Sequence, residues 1–119
     1  MDTLSSRPAK RLNRNDLLPY EQELLDKEVN MIANELRMWL SNEDRSAIKF
    51  SKSPIKIPFY TELGRSIRNE YELWLDEHHI TKIWIAANEQ FPPVWVDDHP
   101  CHPDNFSAKC IQRLWEILQ

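Results

Sequence analysis

Glycine is almost absent: the 119 residues contain one, Gly64. Glycine adopts positive φ at no steric cost, so a chain with a single glycine has little means of building hairpin turns or phosphate-cradling loops. That argues against an antiparallel β fold. It also leaves almost no room for a glycine-rich nucleotide site, which needs two or three glycines in a short span. Cysteine is scarce too, with only Cys101 and Cys110. A disulfide framework takes more cysteines in a secreted context, so both are expected to be free thiols in a reducing cytosol. No apolar run approaches the roughly 20 residues of a membrane span. The opening Met1-Asp2-Thr3-Leu4-Ser5-Ser6 lacks the apolar stretch of a secretory signal. The expectation is a cytoplasmic protein without a membrane partner.

What is present is a globular balance. Hydrophobic residues make up 41% and charged residues 29% of the chain, which supports one domain with a modest core. The net charge of −4 disfavours wholesale binding to a phosphate backbone, which calls for a concentrated basic surface. The charge is uneven, however. Arg7, Lys10, Arg11 and Arg14 make the first 15 residues basic and leave the rest more acidic than the total. Residues 1–16 show little apolar periodicity and read as a flexible basic arm, a candidate surface for an acidic partner or nucleic acid. Residues 17–119 read as a single helical domain.

Helical periodicity dominates that domain. Leu25, Val29, Ile32, Leu36, Trp39 and Leu40 fall on one face, and Pro19 suits the first turn, so a helix is predicted over 19–40. Glu21 and Glu23 lie near its positive end. Ser41-Asn42-Glu43-Asp44 resembles a capping box and predicts a short helix from Asn42 to about Lys49. The prolines at 54 and 58 mark a linker. Tyr60, Leu63, Ile67 and Tyr71 predict a helix over 58–71, with Gly64 inside it. A lone helical glycine implies a close neighbour, for which the rings of Trp39, Trp74 and Trp115 are candidates. Residues 80–90 fit a helix or a strand, and helix is preferred because no second strand is evident. Pro92-Pro93 then breaks the chain, and residues 94–102 read as an ordered, Pro-rich loop. A last helix is predicted over 103–118, capped by His102 or the preceding turn, with Asp104 in its first turn. The fold expected is mainly α: a compact single-domain bundle of about four to five helices.

The second half of the chain carries a spaced set of motifs. Leu63-Gly64 is followed by Ile67-Arg68-Asn69 and Leu73-Trp74, then His102-Pro103-Asp104, Ser107, Ile111 and Leu114-Trp115. Over residues 59–118 this order resembles a family of small bacterial proteins of undefined function. Two departures are Asn105, where the family commonly has a second acidic residue, and a longer stretch from Ile80 to Cys101. The resemblance implies a shared helical fold and no activity. Physically, Arg68 and Asp104 suit a partly buried ion pair joining two helices, because a guanidinium offers a fork that a carboxylate accepts. Asn69 is placed to cap its helix and Trp74 to cover the pair.

Three constellations bear on chemistry. Asp97, Asp98, His99, Cys101, His102, Asp104 and Cys110 include metal-ligating types, with His99, Cys101, His102 and Cys110 the weak candidates. Cys101 and His102 are adjacent and no Cys-x-x-Cys is present, so neither a metal nor any other cofactor is expected. His78 and His79 are also adjacent, and neighbours on a helix point about 100° apart, so they are expected to diverge into solvent. Cys101 with His99 or His102 has the inventory of a nucleophile and base but no accompanying motif. Of the five tryptophans, Trp39, Trp74 and Trp115 are expected in the core, while Trp84 and Trp95 are less constrained. Phe91, Val94, Trp95 and Val96 make a candidate docking patch.

These features point to a small non-catalytic protein that binds another protein, such as a bacterial or phage accessory factor of inhibitor or immunity type. The alternatives are a metal-binding protein using residues 97–110 and a nucleic-acid-associated protein using the basic arm.

Overall fold

The computed structural model describes residues 16–89 and 98–119. Five α-helices follow in order: α1 (Pro19–Trp39), α2 (Asn42–Lys49), α3 (Tyr60–Glu70), α4 (His79–Glu89) and α5 (Pro103–Ile117), with a 3-10 turn at Pro54–Lys56 before α3. Among the described residues there is no strand. None of the helices is long and apolar enough to cross a membrane.

α1 begins as its sequence dictates. Pro19 occupies the first turn, where its missing N–H costs nothing. The Leu18 N–H donates to the Glu21 carboxylate at 2.9 Å. One face buries Leu25, Val29, Ile32, Ala33 and Leu36, while Met31 and Met38 are exposed on the other. Ser41 Oγ accepts the Asp44 N–H at 3.1 Å and starts α2, which buries only Ile48. The linker after α2 is fastened to α5, because the Trp115 indole N–H donates to the Ser51 carbonyl at 2.9 Å.

α3 starts at Tyr60, two residues later than Pro58 suggests. Pro58 lies in a turn, closed where the Tyr60 N–H reaches the Ile57 carbonyl at 3.0 Å, and buried Ile57 anchors that turn. The close neighbour of Gly64 is not a tryptophan. A Cβ added there would lie 3.0 Å from Arg68 Nη1 and 3.9 Å from Ile111 Cδ1. The guanidinium, one helical turn further on, folds back over the space that the glycine leaves.

The end of α3 has the bonding of a Schellman cap. The Leu73 N–H reaches the Arg68 carbonyl at 3.0 Å, and the Glu72 N–H reaches the Asn69 carbonyl at 3.3 Å. The residue that must turn left-handed is Glu72, at φ 54°, a position usually held by glycine. Leu73, next in the chain, is buried and pins the turn to the core. The ambiguous stretch 80–90 is helical to Glu89, with Ile80, Thr81, Ile83, Ala87 and Asn88 buried. The Thr81 hydroxyl donates to the Leu73 carbonyl at 2.5 Å and ties α4 to that turn.

α5 packs most extensively on α1 and next on α3. Its face of Phe106, Cys110, Ile111 and Leu114 is fully buried and forms the centre of the core. Each such side chain contributes about 1.5–3 kcal/mol through the apolar surface it removes from water. The tryptophans distribute otherwise than periodicity suggests. Trp39 is 55% exposed and lies parallel to the Tyr71 ring, 6.0 Å between centroids. Trp74 is 52% exposed, because it falls in the turn between α3 and α4 and on no helical stripe. Trp84 and Trp115 pack against the core.

Candidate functional site

The motif residues meet where α3 crosses the start of α5. Arg68 Nη1 donates to Ser107 Oγ at 3.0 Å, and its Nε lies 3.6 Å from Asp104 Oδ1. The Ser107 hydroxyl donates onward to the Asp104 carbonyl at 3.0 Å. The Arg68 side chain is 20% exposed and the Asp104 side chain 61% exposed. A pair so open to water contributes about 0–1 kcal/mol, so the buried Ser107 hydroxyl is as much the anchor as the carboxylate. Asn69 is exposed and joins the helix end through its backbone carbonyl. The ring partner of Trp74 is His102, edge-on at 5.9 Å, which places Trp74 beside the pair's helix end.

Three of the four histidines share one device. His78 Nδ1 accepts the Ile80 N–H at 3.1 Å, His99 Nδ1 the Cys101 N–H at 3.0 Å, and His102 Nδ1 the Asp104 N–H at 3.1 Å. In each case an imidazole takes the backbone N–H two residues on, as a short polar side chain does in a turn or cap. His102 is thereby the cap of α5. It is buried and lies edge-on to Trp84 at 4.6 Å as well as to Trp74. Buried His99 sits one turn earlier, and its carbonyl accepts the Asn105 side-chain amide at 2.9 Å.

Two adjoining hollows run along the α3–α5 face. The first, of about 530 Å³, is walled by Ile55, Tyr60, Pro100, Lys109, Gln112 and Trp115 among others. The second, of about 410 Å³, includes Thr61, Gly64, Arg68, Asp104 and Ser107. Tyr60, Asn105 and Ala108 border both, so the two form one furrow with Ala108 at its middle.

The cysteines and histidines of residues 98–110 do not assemble as ligands. Among the described residues, the one group of three or more ligand atoms within 4.8 Å of each other belongs to Glu28, His78 and His79. Cys101 and Cys110 are buried free thiols. Burial foremost, and then the charge of Glu28, raises the Cys110 pKa far above its ordinary value. Such a thiol is neither nucleophile nor ready ligand. His99 uses Nδ1 on the backbone N–H of Cys101, so its ring is not set as a base on that thiol through this atom.

His78 and His79 do not diverge. Their rings stack at 4.7 Å with 15° between planes. The 100° rule fails because His78 lies in the turn ahead of α4 and only His79 has entered the helix. His78 is half-buried, and desolvation followed by the neighbouring His79 lowers its pKa, against the opposing pull of Glu28 and Glu72. Glu28 was not foreseen as a site residue. Its only sequence cue is its position beside Val29 at the edge of the buried stripe of α1. Tyr71 was foreseen only as an apolar position, yet its hydroxyl donates to Glu35 at 2.6 Å. Burial and that bond hold the phenol protonated well above its usual range.

The arm residues Arg7, Lys10, Arg11 and Arg14, the loop residues Phe91, Val94, Trp95 and Val96, and Asp97 lie outside the described residues. Comparison with protein-family models, curated proteins and solved structures returned no match.

Proposed function

We propose that the protein is a non-catalytic docking module of inhibitor or immunity type, which binds a protein partner through the furrow between α3 and α5. The observation that carries this reading is the make-up of the furrow. Apolar wall from Ile55, Tyr60 and Trp115 lies next to polar groups held in fixed positions. Arg68 is set by Ser107 and Asp104, and Asn105 by the His99 carbonyl. An apolar wall receives an anchoring side chain, and pre-set donors receive the backbone or polar groups of the same segment.

Charge supports the same reading. Residues 1–15 hold four basic side chains against Asp2, so with the whole chain at −4 the remaining residues carry −7. A body of that sign speeds encounter with a partner whose surface is basic.

Ala108→Arg provides the test, because the new side chain would fill the middle of the furrow from a half-buried position on α5. Affinity capture from producing cells, read by mass spectrometry, should give a stoichiometric protein with the wild type and with Met38→Ala on the far face of α1. The same protein should fall at least about tenfold with Ala108→Arg. Equal capture by Ala108→Arg would exclude the furrow.

A further inference from the structure

Two imidazoles and a carboxylate from distant parts of the chain meet at the start of α4. His79 Nε2 lies 3.0 Å from Glu28 Oε1, and His78 stacks on His79 with its centroid 4.7 Å away. One ligand atom from each of the three residues lies within 4.8 Å of the other two. We propose that Glu28, His78 and His79 bind a first-row divalent cation of the zinc class, bridging α1 to the start of α4.

The donor set argues for that class. Imidazole nitrogen suits zinc and its late first-row neighbours, whereas magnesium and calcium take oxygen ligands. Two histidines and one carboxylate make up the three protein ligands of an open zinc site, which leaves a fourth position for solvent. The frame is suited as well. The Glu28 side chain on α1 is 14% exposed, whereas that of His79 is 51% exposed and gives the ion a way in from water. With metal–nitrogen distances of about 2.0–2.1 Å, tetrahedral donors lie roughly 3.4 Å apart. The His79–Glu28 distance of 3.0 Å is close to that, and the His78 ligand atom, within 4.8 Å of both, moves inward to complete the set.

Occupancy has a local consequence. His78 Nδ1 accepts the Ile80 N–H, so Nε2 is the atom left to ligate. A metal on Nε2 leaves the ring proton on Nδ1, where it faces the Ile80 N–H. Metal binding therefore breaks the cap of α4, and the Ile80 amide reports it.

The test uses the full chain with Zn²⁺ or Co²⁺ alone. Calorimetry should give one ion per chain in the micromolar range, with cobalt showing the visible bands of a low-coordinate site and the Ile80 amide resonance shifting. His79→Ala and Glu28→Ala should each weaken binding at least about tenfold without changing the far-ultraviolet circular dichroism. His78→Asn keeps a capping side chain but removes the imidazole, and should weaken binding to a similar degree. Three results would each overturn the proposal: no binding at millimolar metal, wild-type affinity in His79→Ala, or thiolate-to-cobalt charge transfer, which would place the ligands on Cys101 or Cys110.

Discussion

α4 and α5 are each preceded by a histidine whose Nδ1 takes a backbone N–H, yet the two caps sit in opposite surroundings. His102 is buried between the edges of two indoles, with Pro103 behind it and the core face of α5 following. His78 is half-buried, touches a second histidine, and starts a helix at the edge of the bundle. The same hydrogen bond is thus part of the core in one case and close to solvent in the other. The surroundings therefore decide how each cap responds to mutation.

The largest expected effect comes from His102→Ala. It removes the cap of the helix that fills the core, together with the two edge-on ring contacts. A loss of about 2 kcal/mol is expected, from roughly 1 for a cap and a similar amount for the aromatic contacts. His102→Asn should recover about half by restoring the cap alone, as measured by urea unfolding. Recovery of the full loss by Asn would remove the distinction drawn for the indole contacts.

At the other cap, His78→Ala should cost about 1 kcal/mol and His78→Asn close to nothing. Acid gives a second test of this cap, because an imidazole caps only while Nδ1 carries no proton. The folded-state pKa of His78 is depressed below the unfolded value of 6.5, mainly by desolvation. The unfolded chain therefore binds the proton more readily, and stability rises with pH across that interval. The contribution is complete above about pH 6.5 and is lost as pH falls from there through the folded pKa. Urea midpoints at pH 7.5 and 5.5, taken in a chelator, should differ less for His78→Asn than for the wild type. An unchanged difference would assign the acid sensitivity elsewhere.

The smallest effect concerns the turn that leads towards α4. Glu72→Gly relieves a left-handed glutamate and should stabilise the fold by about 0.5–1 kcal/mol, after allowing for the greater freedom of glycine when unfolded. Thermal denaturation would read this as a rise of a few degrees.

Much of the fold was legible where a local chemical signal coincided with periodicity. Ser41 and Pro103 mark the starts of α2 and α5 to the residue, and the stripe of α1 marks its buried face. Legibility failed where one residue type has two uses. Pro58 reads as a helix start but closes the turn before one. Trp39 and Trp74 read as core because tryptophan is large and apolar, yet a helix end and a turn leave them half in water. Glycine scarcity argued against hairpin turns and phosphate loops, and could not show that Glu72 reaches positive φ in a helix cap, or that Gly64 admits a guanidinium without any positive φ.

The site divides in the same way. Arg68, Ser107, His102 and Asp104 were visible as motifs, because each acts near a helix end with local rules. Glu28 with His78 and His79 was not, since Glu28 is distant from them in the chain and His78 stands outside the helix to which the 100° spacing applies. The furrow depends on three separate segments closing around Ala108, which no local pattern encodes.

The left-handed Glu72 bears on how this protein can change. A correctable turn holds a margin against later damage: a single replacement there would offset a typical destabilising substitution of about 1 kcal/mol elsewhere. Position 72 is therefore permissive: a chain carrying Glu72→Gly should tolerate a further substitution along the α3–α5 furrow without losing the bundle.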